Sequence, residues 1–234
     1  MNRICPLVLC AFILTLPAWC LAQDGRVLID KSLIPAEAGD VSKFVPPGWK
    51  IEEQVKGDLN GDARSDFVLK LIEDKPARGK DDVSIERQRA LVILFQKEND
   101  KLARAAVADR LLQCTTCGGI LYGDAAPANV TIEKGVIVVE QDHGSRWTAD
   151  QTFRFRYEPD SGKFLLIGFD YISNDRLQRN TVTESTNYLT GLRIVTRLTR
   201  REAKSRTQIP KSKIYLEDID NEKFEEDAVT RLHL

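Results

Sequence analysis

Histidine occurs twice and methionine once in 234 residues, and only five cysteines are present. His143 and His233 have no recognisable zinc spacing with Cys114 and Cys117, so a structural zinc centre is not expected. The chain has no G-x-S-x-G elbow, no H-E-x-x-H helix and no glycine-rich phosphate loop, and so lacks the signatures of α/β-hydrolases, zinc proteases and P-loop enzymes. Net charge is nearly nil, −1 from 35 acidic and 34 basic residues. That balance gives no electrostatic case for nucleic acid or an anionic membrane as a general partner. Past the N-terminus no apolar run approaches the roughly 20 residues of a spanning helix. Neither is there a β-α-β alternation that would call for a parallel sheet.

What is present begins with a leader. Residues 1–22 carry basic Arg3, then the apolar run 7–16, and end in Cys20-Leu21-Ala22 before Gln23-Asp24, the pattern of a secretory signal peptide cleaved after Ala22. The mature chain, 23–234, is expected to be periplasmic or secreted and to form a single β-rich domain. Bulky Trp19 stands where a lipoprotein signal requires a small residue, which disfavours acylation at Cys20. Cleavage leaves only Cys114 and Cys117. An oxidising compartment favours a disulfide between them, with Gly118 and Gly119 permitting a tight turn. A thiol-redox pair is the alternative, but it needs a following helix, and nothing after Cys117 reads as one.

One stretch points directly to chemistry. Asp58, Asn60, Asp62 and Asp66 alternate along Gly57-Asp58-Leu59-Asn60-Gly61-Asp62-Ala63-Arg64-Ser65-Asp66, the spacing at which short side chains converge on a hard cation. Asp58, Asn60 and Asp62 would supply the first three calcium ligands and the Arg64 carbonyl the next. Asp66 would close the shell directly or through water. An EF-hand is excluded, because its sixth and twelfth positions hold Ala63 and Leu69 instead of glycine and glutamate. Strand-like segments at 49–55 and 67–72 flank the loop and predict a hairpin. Over 46–72 the chain resembles the FG-GAP or VCBS-type repeat, in which a D-x-N/D-x-D-G-x-x-D loop joins two strands of a propeller-like blade. Ala63 departs from that pattern's glycine, and a left-handed conformation there costs roughly 1–2 kcal/mol. A plain Asx-rich turn that binds nothing is the competing reading.

Short strand signals recur through the rest of the chain: 90–96, then 130–133 and 136–141 joined by a Lys134-Gly135 turn, then 152–157, 164–171, 192–199 and 213–216. Helix is expected at 35–44 and in a short piece near Arg176. The fold class is therefore mainly β and antiparallel, either partial-propeller-like or a sandwich or curled sheet, with one or two short helices. Cys114-x-x-Cys117-Gly-Gly, Gly123-Asp124, Gly144-Ser-Arg-Trp147, the aromatic–basic run 153–157, Phe164-Leu-Leu-Ile-Gly168 and Thr186-Asn-Tyr-Leu-Thr-Gly191 together resemble a bacterial secreted or periplasmic protein family. That family couples one aspartate loop to a β-rich remainder, and the resemblance brings no activity with it.

His143 is a candidate general base, with Asp142 and Ser145 beside it. Neighbours on an extended chain face opposite sides, so these three form no triad by sequence proximity. Arg146 and Trp147 are candidates for ligand contact, since an arginine beside an aromatic can grip a carboxylate or stack on a sugar. The arginine-rich segment 193–206 reads as a strand with a solvated face. The functional expectation is an exported, non-catalytic binding or structural module, calcium-stabilised, with a protein or glycan partner. The alternative is a hydrolase-like or thiol-redox enzyme using His143 or Cys114/Cys117.

Overall fold

Short segments of inward apolar and outward polar side chains build most of the backbone. The computed structural model describes residues 26–234, and the expected leader and its cleavage point lie outside them. Two antiparallel sheets form. The first contains β1 (Glu37–Ala38), β2 (Trp49–Gly57), β3 (Asp66–Glu73), β4 (Arg89–Gln96) and β5 (Leu102–Ala108), in the spatial order β1-β5-β4-β3-β2. The second is a meander of β6 (Ala128–Glu133), β7 (Val136–Gly144), β8 (Trp147–Glu158), β9 (Lys163–Asp175), β10 (Asn180–Asn187), β11 (Leu192–Leu198) and β12 (Glu202–Gln208), each strand hydrogen-bonded to its sequence neighbours. Among the described residues neither sheet closes into a barrel. The pair makes a curled, sandwich-like arrangement with two helices, α1 (Gly119–Tyr122) and α2 (Asn221–Leu232).

The first sheet is covered on both faces. Val68, Leu91 and Ile93 pack toward Ile137, Val139, Phe153 and Phe155 of the meander, while Leu69, Leu71, Val92 and Leu94 pack under Ile29, Ile34 and Phe44 of the N-terminal segment. Strands buried on both faces read as continuous apolar runs, as β3 and β4 do. In β8, by contrast, Phe153 and Phe155 are fully buried and alternate with outward Arg154 and Arg156. Burying each such phenylalanine contributes about 1.5–3 kcal/mol. Toward its C-terminal edge the meander outruns the core, and every residue of β12 is exposed. Its alternating Glu202, Lys204 and Arg206 discourage pairing with another chain.

Three sequence expectations change. Segment 35–44 is not an α-helix: it holds β1 and a 3₁₀ turn, Val41–Phe44, which Asp40 caps by accepting from the Ser42 N–H at 2.8 Å. The piece near Arg176 is a β-turn region between β9 and β10. Segment 213–216 makes only a single bridge, Leu165 to Tyr215, before a 3₁₀ turn at Leu216–Asp218. The acidic stretch that follows ends in a helix N-cap: Asp220 accepts from the Lys223 N–H, and Phe224, Ala228 and Leu232 at i, i+4, i+8 lay α2 onto the core. Phe224 meets Phe153 and Phe169 at ring distances of 5.5 and 5.3 Å.

Candidate functional site

β2 and β3 pair from Trp49↔Glu73 to Gly57↔Asp66, so the aspartate segment is the expected hairpin loop. Its oxygens turn onto its own backbone. Asp58 accepts the N–H groups of Gly61 and Ala63 at 2.7 and 2.9 Å, Asn60 accepts that of Asp62 at 3.0 Å, and Asp62 that of Arg64 at 2.9 Å. Ala63 does take the left-handed conformation, with φ of 64°, and Asp58 ties it there. Asp66 is fully buried and its two oxygens accept from Leu59 and Gln96 N–H groups at 2.9 and 3.0 Å, which bolts the loop to the end of β4. Burial holds its carboxyl above the ordinary range, with Asp62 and Asp58 adding to the effect.

The loop fits a hard cation in part. Carboxylate and amide oxygens keep a second lone pair after one hydrogen bond, so Asp58, Asn60, Asp62 and the Arg64 carbonyl are the residues that could hold calcium. Asp66 suits the role least, since its carboxylate is fully buried at the start of β3. The Arg64 guanidinium, 2.7 Å from Asp62, competes for the same carboxylate. Among the described residues no three His, Cys, Asp or Glu side chains gather as a metal-holding group.

Cys114 and Cys117 are bridged, with Cys114 buried and Cys117 exposed. The segment is held to β7 by two buried amides: Gln141 accepts the Gln113 N–H at 2.5 Å, and the Gln113 side chain donates to the Pro127 and Asp142 carbonyls. His143, near the end of β7, meets Glu225 of α2 at 2.8 Å. Gln151 and Tyr171 donate to the same carboxylate at 3.1 and 3.4 Å. The Glu225 hydrogen bond, opposed by burial, raises the imidazole above its ordinary value. With its Nε2 committed to the Glu225 carboxylate, the imidazole does not present that nitrogen to a substrate as a general base. Its partner is Glu225, and neither Asp142 nor Ser145 orients it.

His143 and the disulfide share a cavity of about 300 Å³. Its other charged walls are Glu86, Glu222 and Glu225 against Arg26. Reactive thiolates need electropositive surroundings, and these are acidic. The residues after Cys117 form only the four-residue α1.

A third locus lies at one end of the meander. Alternate hairpins of an antiparallel meander turn at the same end, so the turns at 144–147, 175–180 and 198–202 stand in a row. Asp175 pairs with both Trp147 and Asn180, and Thr181 with Leu198. Arg146 lies 5.3 Å from the Trp147 ring, and its fork closes on the buried Asp175 at 3.3 and 3.0 Å. The carboxylate that Arg146 was expected to grip is thus internal. Asp175 also accepts the Leu177 N–H at 3.0 Å, shaping the next turn. Gly144 and Gly119 let two chains meet here: at Gly144 (φ 133°) a Cβ would strike the Trp147 carbonyl, and at Gly119 (φ 68°) one would lie 2.6 Å from the Gly144 carbonyl. That contact places Ile120 and Leu121 of α1 beside Arg146, Arg176 and Leu177 around a shallow groove. Of the 193–206 arginines, Arg193 and Arg197 are engaged inside, on Thr186 and the Leu232 carbonyl, while Arg200 and Arg201 occupy the third turn.

Glu225, Ile120, Arg176, Leu177 and Arg179 are the residues that sequence reasoning missed. Asp175-Arg-Leu-Gln-Arg-Asn180 did carry turn residues at both ends. Glu225 carried no local signal, because its partner sits on a strand far away in sequence. No protein-family model matches the chain, and no curated protein or solved structure matches it significantly.

Proposed function

We propose that the chain is an exported, non-catalytic binding module that works through the turns at 144–147, 175–180 and 198–202. The observation that carries this reading is the apolar surface there: Ile120 is 86 % exposed, Leu177 72 % and Trp147 52 %. Clustered apolar side chains facing water mark interaction surfaces in soluble proteins. In the cavity beside the disulfide His143 is instead committed to Glu225 and Arg26 to Glu222, which speaks against catalysis by His143. Export is supported by the leader pattern and agrees with the bridged cysteines.

An anionic amphiphilic dye, anilinonaphthalenesulfonate, is expected to brighten on the native protein. Ile120→Ser/Leu177→Ser should lose most of that signal while the melting temperature stays within about 4 °C, since each exposed substitution costs at most about 0.5 kcal/mol. A dark wild type, or a variant as bright as wild type, overturns the reading.

The aspartate loop supports a second, structural element of the proposal: calcium on Asp58, Asn60 and Asp62 reinforces the β2–β3 hairpin, as the FG-GAP or VCBS resemblance implies. At a calcium concentration 100-fold above Kd, mass action adds about 2.7 kcal/mol. At about 2–4 °C per kcal/mol for a domain of this size, the melt should rise by roughly 5–10 °C over chelated protein. The rise should vanish in Asp58→Ala/Asp62→Ala. Identical melts with calcium and with chelator would refute the ion site.

A further inference from the structure

We infer that the partner of this surface is an anionic phospholipid bilayer, an assignment that rests on the binding-module reading above. Each of the three turns repeats one arrangement, an exposed apolar residue beside arginine. Trp147 stands with Arg146, Leu177 with Arg176 and Arg179, and Leu198 with Arg200 and Arg201. Strands in a sheet lie about 4.8 Å apart, so successive turns at one end follow at roughly 10 Å. The result is a row of apolar tips flanked by guanidinium groups.

Charge is segregated between the two ends of the meander. The three turns hold five arginines against Asp175 and Glu202, and Asp175 is buried under Arg146. The opposite turns, at 133–136, 158–163 and 187–192, hold Glu133, Glu158 and Asp160 against Lys134 and Lys163. A near-zero net charge therefore conceals one cationic end. Arginine suits a phosphate-bearing surface because its stem lies along apolar ground while its fork reaches anionic oxygens. Tryptophan prefers the same boundary between headgroup and hydrocarbon. Small ligands require a concave site that buries most of their surface. Here the groove is shallow and the tips stand in line, a shape that matches an extended surface. The association is peripheral, as no helix among the described residues is long and apolar enough to cross a membrane.

The test is flotation of the purified protein with vesicles of phosphatidylcholine alone and of phosphatidylcholine containing phosphatidylglycerol. The protein should float with the anionic vesicles only, and raised salt should release it. In a Trp49→Phe background of residues 23–234, which lack Trp19, the Trp147 emission should shift to the blue on binding. At roughly fivefold per arginine, Arg176→Gln/Arg179→Gln should weaken partitioning about 25-fold. Lys134→Gln/Lys163→Gln, at the other end, should leave it unchanged. Equal flotation with both vesicle types, or equal loss in the two double variants, overturns the assignment. Dye brightening without flotation also overturns it and points to an acidic protein, while leaving the binding surface intact. Failure of the dye as well would remove that surface.

Discussion

Arg89→Ala is expected to lower the stability of this fold by about 2–4 kcal/mol, since the arginine is buried while the side chain of its partner Glu52 keeps 25 % of its exposure. Arg89 is 6 % exposed on β4, and its fork clamps Glu52 at 2.8 and 2.9 Å while a third nitrogen donates to the Gln113 and Ala126 carbonyls at 3.2 and 3.0 Å. Glu52 lies where the β2–β3 register shifts, and Gln113 immediately precedes the disulfide. One guanidinium thus joins the first sheet to the cysteine segment. Its loss leaves two buried carbonyls without their donor and a partly solvated carboxylate without its partner. Lys70 cannot replace it, lying 3.9 Å from Glu52 and closer to Glu53 at 2.7 Å. At about 2–4 °C per kcal/mol the melting temperature should fall by roughly 4–16 °C. Arg89→Lys should recover little, since an ammonium lacks the fork. Denaturant unfolding measures both, and a loss under about 1 kcal/mol would contradict this account.

Glu184→Ala should detach α2. The Glu184 carboxylate, 1 % exposed on β10, accepts from Arg231 in the last turn of the helix at 2.9 and 2.8 Å and from Thr186 at 3.2 Å, with Arg193 at 3.4 Å. Both guanidinium groups keep some solvent, so the expected loss is about 2–4 kcal/mol, below that of a fully buried pair. Amide exchange across Asn221–Leu232 should accelerate more than exchange in β3 or β4, whose two-sided burial does not depend on the helix. Arg231→Ala should reproduce most of the effect, and the double variant should cost less than the two singles summed. Unchanged protection of α2 would show that Phe224, Ala228 and Leu232 hold the helix without the ion pair. The helix also carries Glu225, so its release would free His143.

The strands with strong local patterns were readable from the chain alone. β3 and β4 announced themselves by apolar runs, β8 by its aromatic–basic alternation, and the β6–β7 hairpin by Lys134-Gly135, whose φ values of 51° and 77° are those of such a turn. The strands that escaped notice lack such patterns. β5 is Leu-Ala-Arg-Ala-Ala-Val-Ala, as good a helix as a strand by propensity, and β10 is polar nearly throughout, while the segment 193–206, which reads as one strand, is split by a turn into β11 and β12. Hydrogen-bonding neighbours recruit them, and pairing is not a local property.

The same division holds for the candidate sites. Sequence by itself determined the mainly antiparallel β class, the aspartate hairpin and the proximity of two cysteines, because each depends on residues within one or two turns of chain. Only the tertiary structure decided that Asp66 is a buried staple, that Arg146 closes on Asp175, and that His143 answers to Glu225. It also decided that arginines scattered from Arg146 to Arg201 share one end of a sheet. The physical reason is that net charge and composition sum over the whole chain, whereas electrostatics and burial act between residues that folding brings together.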